Sequence, residues 1–179
     1  MANISKAKGT MTFYANSVDE LKKLTTIFMA TNRWEYGIYA NDNVDFSTIY
    51  DTRGKDGIFK ETLSKTDLVA SYALDVVICG CGCWTFANSI RSLGEGLSTE
   101  EPSEKFDYRQ IEKIEFALGF DVIDYEPACE YLARDKILLY HKKNTSLTDN
   151  LIPLIDNENV YEITIENLVK LLEILQDIG

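Results

Sequence analysis

The stretch Val76-Val77-Ile78-Cys79-Gly80-Cys81-Gly82-Cys83-Trp84 constrains the fold more than any other part of the chain. Its first half is a continuous apolar run with β-branched residues, which reads as a buried strand. Three of the chain's four cysteines then follow at alternate positions, with only glycine between them. Strand periodicity places Val77, Cys79, Cys81 and Cys83 on one face. Glycine at the intervening positions weakens a strand and marks a bulge, a bend or a close backbone approach.

The thiols admit two roles. A structural zinc needs sulfurs converging on one point at about 2.3 Å each. Same-face side chains of an extended strand stand roughly 6.6 Å apart, too far for neighbouring ligands of one ion. Gly80 and Gly82 would relieve this by taking positive φ and curling the backbone. Cys79, Cys81 and Cys83 would then supply sulfurs, with Cys129 as the remote donor. The alternative is packing, because cysteine behaves as a small buried hydrophobe. The spacing is not that of a C-x₂-C zinc knuckle. A disulfide between same-face neighbours of an extended strand does not fit the required geometry. His141, the one histidine, is either a further ligand or an exposed residue at a strand end.

The flanking chain reads as an α+β domain spanning residues 1–179, a mostly antiparallel sheet of five to seven strands with three or four packed helices. Lys8 to Ala15 alternates as a strand. Ser17 with Glu20 forms a capping box for a helix running to about Ala30 with Leu21, Leu24 and Phe28 inward. Strands are expected over Trp34–Ala40, Phe46–Tyr50, Phe120–Tyr125, Lys136–His141 and Val160–Ile163, with turns at Asn41–Asn43 and Asn144–Asp149. Arg53–Gly57 reads as a loop, and Leu63–Ala73 fits a short helix. A helix after Trp84 should stop at Gly94, and a polar loop should follow from Glu95 to Glu104. Asp107 caps a helix that Gly119 ends, and Thr164 caps a last helix carrying Leu168, Leu171, Leu172 and Leu175. No apolar run approaches the ~18 residues of a membrane span, and Met-Ala-Asn-Ile-Ser-Lys lacks a signal-peptide apolar region. The expected setting is therefore cytoplasmic, with reduced thiols.

Charge is unevenly placed. The net charge is −11, and ten acids between Glu95 and Glu126 face only Lys105, Arg109 and Lys113. A surface of that sign repels nucleic acid and attracts a basic protein groove. Enzymatic chemistry is not expected, because a single histidine and solvated carboxylates give little material for general acid–base catalysis. A thiol-dependent or zinc hydrolase is the weaker reading, since a thiolate held by zinc is occupied.

Lys6-Ala7-Lys8-Gly9-Thr10-Met11-Thr12-Phe13 and Gly80-Cys81-Gly82-Cys83-Trp84-Thr85-Phe86-Ala87-Asn88 together resemble a group of small proteins from phages and mobile elements of Gram-positive bacteria. There an A-x-G-T-(I/M)-T strand is followed by a G-S-G-R-W-(S/T)-F-x-N turn. The chain is also similar to phage-borne anti-CRISPR proteins that inhibit Cas9, which are small, acidic and non-enzymatic. Cys81 and Cys83 replace the serine and arginine of that pattern, as in a derivative that gained a metal. Resemblance and charge together imply an inhibitor, with a monomer favoured but the oligomeric state open, that binds host Cas9 or another basic defence nuclease and makes no direct contact with nucleic acid. Its acidic contact surface would comprise Glu100, Glu101, Glu104, Asp107, Glu112 and Glu115. The other outcome is a small zinc-stabilised regulatory or interaction protein of a mobile element, with no nuclease target.

Overall fold

Alternation along β1 (Ile4–Ala15) sets the layering of the molecule. Ala7, Met11, Phe13 and Ala15 are buried on one side, and Lys6, Lys8, Thr10, Thr12 and Tyr14 occupy the other. β4 (Tyr72–Cys83) and β5 (Phe116–Glu126) pair antiparallel with the two edges of β1. Met11 stands between Val76 and Phe120, and Phe13 between Leu74 and Leu118, so the inward rows of three strands merge. β6 (Tyr131–His141) follows β5, and β7 (Leu151–Val160) pairs with β6. Two short strands, β2 (Ile38–Ala40) and β3 (Tyr50–Asp51), share the outer edge of β4. The seven-stranded sheet has the order β2-β4-β1-β5-β6-β7, and every pairing is antiparallel. This computed structural model describes residues 4–30, 38–40, 44–83, 86–99, 101–104, 107–126, 131–147, 151–160 and 176. The expected α+β architecture is the observed one.

Four helices cover the first face: α1 (Val18–Met29), α3 (Phe86–Arg91), α4 (Leu93–Thr99) and α5 (Tyr108–Glu112), while α2 (Lys60–Leu63) lies on the opposite one. Ser17 ends the extended backbone of β1, and its Oγ accepts the Glu20 amide at 3.2 Å, the serine half of the expected capping box, while the Glu20 carboxylate meets the Ser17 hydroxyl at 3.4 Å. Leu21, Leu24 and Phe28 then point inward, and Phe28 meets Phe13 edge to face with centroids 5.5 Å apart. Phe86, Ile90, Leu93, Leu97 and Ile111 complete this core against Met11, Val76, Ile78, Phe116 and Phe120. Each such side chain contributes about 1.5–3 kcal/mol through burial. Sequence spacing alone misplaces several elements here. Residues 46–48 form a 3₁₀ turn rather than a strand, because the Asp45 carboxylate captures the Ser47 amide at 2.9 Å. Gly94 lies inside α4 and does not stop a helix, and residues 95–99 are helical rather than loop. α5 ends at Glu112, and Gly119 sits mid-strand, because Phe116, Leu118, Phe120 and Val122 alternate into the core.

A second, smaller core lies on the opposite face. Phe59, Leu63, Leu68 and Ala70 fold down onto Tyr14, Ala73, Ala117 and Leu138. Gly119 makes room for this, since a Cβ there would stand 2.5 Å from the Phe59 ring. The segment 52–70, containing α2, is thus a flap over one end of the second face. Asn41–Asn43, residues 31–37, Trp84, residues 161–163 and, apart from the helical residue 176, the helix expected after Thr164 lie outside the described residues. No helix among the described residues is long and apolar enough to cross a membrane.

Candidate functional site

The organising stretch is a continuous strand through Cys83, so the curl that convergent thiolates would need is not formed. β4 stays in register with β1 from Ala15↔Tyr72 to Ile4↔Cys83, and Gly80 and Gly82 lie opposite Ala7 and Ser5. Among the described residues only Gly54 is a glycine at positive φ. Cys79 and Cys81 share a face as expected, but that face is the second one, away from the helices, and both are half-buried. Positions two apart on an extended strand are spaced by roughly 6.6 Å, whereas two sulfurs on one tetrahedral zinc stand roughly 3.8 Å apart. The Cys83 side chain and Cys129 lie outside what is described, and no group of three metal-ligating side chains gathers among the described residues.

His141 is neither exposed nor directed at the cysteines. It is fully buried, stacks on Phe116 at 4.9 Å, and sets Nδ1 2.9 Å from the Ile114 carbonyl and Nε2 3.0 Å from that of Thr145. Its position at the end of β6 buries it because parity puts it in the row of Ile137 and Leu139.

The acidic set divides into two kinds. Asp107 caps α5 by accepting the Arg109 amide at 3.0 Å, and its carboxylate holds the Arg109 side chain at 2.8 Å. That bond draws the Asp107 carboxyl below the usual carboxylate range. Glu112 accepts the Leu147 amide at 3.1 Å, and Glu115 accepts the Tyr140 hydroxyl at 2.5 Å. Burial first, then this bond, pushes the Tyr140 hydroxyl above its ordinary value. Glu101 and Glu104 are exposed and make no ion pair among the described residues. Glu104 and Asp107 line a groove of about 510 Å³ opposite Lys22 and Lys23 of α1. Glu100 lies outside the described residues.

Two features had no forecast. One is Asp124, fully buried in the inward row of β5, whose carboxylate accepts the Phe86 amide at 2.6 Å and so tethers the start of α3. An acid at a core-parity position of an alternating strand is the signal that could have found it. The other is a cleft of about 510 Å³ between the flap and the sheet. Its floor is built by strand pairing: Tyr14 from β1, Tyr50 from β3 and Asp75 from β4. The Asp75 Oδ1 accepts both the Thr12 hydroxyl at 2.7 Å and the Tyr50 hydroxyl at 3.3 Å. Burial raises the Tyr14 hydroxyl and carries that of Tyr50 up to about 12, with the Asp75 charge adding to both.

The flap closes the cleft from above and is pinned at its neck. Thr52 donates its hydroxyl to the Ala70 carbonyl at 2.6 Å and its amide to Ser71 at 3.0 Å. Along the rim, Arg53 is engaged by Asp51, whose carboxyl this bond lowers to about 2, and Lys60 pairs with Asp56 at 3.3 Å. Lys55 instead stands over the Tyr50 ring, 4.0 Å from its centroid. Chemically the cleft offers an aromatic face, a carboxylate and apolar walls from Leu63 and Leu68. No protein-family model matches this sequence, and neither a curated protein nor a solved structure matches it.

Proposed function

We propose that the protein is a non-catalytic, phage-encoded inhibitor that binds a basic bacterial defence nuclease of the Cas9 type and blocks access of nucleic acid. Cas9 holds its guide–target duplex in a positively charged channel through backbone contacts, so a presented array of carboxylates competes for the same surface. The observation that carries this reading is the pair Glu101 and Glu104, exposed on a chain of net charge −11 and committed to no ion pair among the described residues. Asp107, Glu112 and Glu115 hold the start of α5, the turn after β6 and the Tyr140 hydroxyl of β6 respectively. The test is a pull-down and DNA-cleavage assay against Cas9 orthologues at physiological salt. Inhibition that weakens in Glu101→Lys/Glu104→Lys through a slower on-rate supports the proposal. Absence of binding to every orthologue overturns it.

A further inference from the structure

We propose that the cleft under the flap is a receptor for an arginine side chain of a protein partner, with Tyr50 as the stacking surface and Asp75 as the counter-charge. This goes beyond the nuclease reading, because it concerns a different face of the sheet and holds whichever protein carries the arginine.

The charges around the cleft decide the sign of the ligand. Arg53 and Lys60 are each neutralised by an adjacent carboxylate, Asp51 and Asp56. Asp75 has no ion pair among the described residues, and both hydroxyls that reach it, from Thr12 and Tyr50, bond to the same oxygen. Its Oδ2 is left to accept from an incoming donor. An anion entering the cleft would meet this carboxylate while the Tyr50 hydroxyl is already committed to it. A cation meets attraction from both the carboxylate and the ring.

Lys55 shows where the cation sits. Its ammonium occupies the face of Tyr50 at 4.0 Å from the centroid, with no carboxylate within ion-pairing distance among the described residues. The flap thus places its own cation, on a flexible stem, where a ligand's cation belongs. Gly54 at φ +77 and Gly57, with open space around it, give this part of the flap room to move Lys55 aside. Arginine fits better than lysine because a planar guanidinium stacks on the ring while its fork reaches a carboxylate oxygen. Leu63 and Leu68 line the path where the aliphatic stem would lie.

The test titrates the full-length protein with acetyl-Gly-Arg-Gly-amide, followed by amide chemical shifts, with the citrulline analogue as the uncharged isostere. Saturable shifts at Tyr50, Gly57 and Asp75 are expected, with a Kd on the order of 1 mM. The citrulline peptide should bind about tenfold more weakly. Asp75→Asn, which keeps an oxygen for Thr12 and Tyr50, should weaken binding about fivefold or more. Lys55→Ala, on an exposed turn, should strengthen it several-fold by removing the tethered competitor. The last effect distinguishes a cation receptor from a general polar cleft, where losing Lys55 would weaken binding or change nothing. Equal binding of arginine and citrulline, no effect of Asp75→Asn, or weaker binding by Lys55→Ala each overturns the proposal. No nuclease enters this titration, so its failure leaves the Glu101/Glu104 reading standing, and the converse holds.

Discussion

Thr12 on β1 and Asp75 on β4 are register partners, and the Thr12 hydroxyl donates to the Asp75 carboxylate at 2.7 Å. This cross-strand pair is where the ladder becomes a site. Thr12 is buried, whereas Asp75 is exposed where it lines the cleft, so the bond anchors a solvent-facing charge to the sheet. Tyr50 reaches the same carboxylate oxygen from β3. The short β3 therefore has a role that its two residues of pairing would not explain.

Alkaline pH should destabilise the fold through its tyrosines. The Tyr50 hydroxyl moves from 10.0 to about 12 on folding, and those of Tyr14 and Tyr140 also rise, in each case chiefly by burial. Above about pH 10 the unfolded chain releases protons that the folded one retains, so unfolding free energy falls with pH. The contribution is fully present below about pH 10 and is lost as pH climbs through the folded values. Urea melts between about pH 9 and pH 11 should show a steady fall in midpoint, and Tyr50→Phe should make that fall shallower. Equal slopes in the two proteins would contradict the assignment.

Gly9 is the glycine of the opening A-x-G-T motif, and its reason is steric. A Cβ there would lie 2.2 Å from the Asp121 carbonyl oxygen and 2.6 Å from the Val122 Cα, both backbone atoms of β5. Gly9→Ala should lower stability by about 3 kcal/mol, because neither strand can move without breaking the β1–β5 ladder. Gly57→Ala, where nothing lies within 4 Å, should be neutral. Chemical denaturation of the two variants checks the contrast.

Local signals carried much of the fold, and non-local pairing decided the rest. The Ser17–Glu20 box and the alternation of β1 involve neighbours in sequence, so they could be read directly. Ile111, Ile114 and Leu118 sit at helical spacing, while Phe116, Leu118, Phe120 and Val122 sit at strand spacing. Only pairing with β1 and β6 selects the second pattern. The parity of Cys79 and Cys81 was legible, but not the face, because Val77 on their side is as apolar as Val76 and Ile78 on the other. The cleft was invisible because it depends on residues 52–70 doubling back over the sheet, which rests on the space Gly119 leaves for Phe59.

His141 should act as a structural tie, separable from its bulk. Its two ring nitrogens address the carbonyls of Ile114 and Thr145, joining the start of β5 to the turn after β6. His141→Ala removes the stack on Phe116 and leaves the carbonyl that receives the ring N–H without its donor, which should cost about 3 kcal/mol or more. His141→Phe keeps a ring against Phe116 but supplies no donor, and should still lose about 2 kcal/mol. A phenylalanine variant as stable as the parent would assign the residue's role to packing alone. Denaturant melts settle the comparison.

Charge reversal in the acidic segment should separate into two phenotypes, set by what each carboxylate holds. Glu101→Lys and Glu104→Lys change exposed side chains without ion pairs among the described residues, so the melting temperature should stay where it is. Glu112→Lys removes the acceptor of the buried Leu147 amide, and Glu115→Lys removes that of the Tyr140 hydroxyl. Glu112→Lys should cost about 1–3 kcal/mol, the range for stranding a buried donor, and Glu115→Lys about 0.5–1.5 kcal/mol, the worth of an ordinary hydrogen bond at a half-buried site. A variant that reverses all of them would lose partner binding through partial unfolding and reveal nothing about the contact surface. Thermal melts of the four single variants, run before any binding assay, show the division. Equal destabilisation by Glu101→Lys and Glu112→Lys would mean that the exposed loop also supports the fold, and would remove the basis for using it as a binding probe.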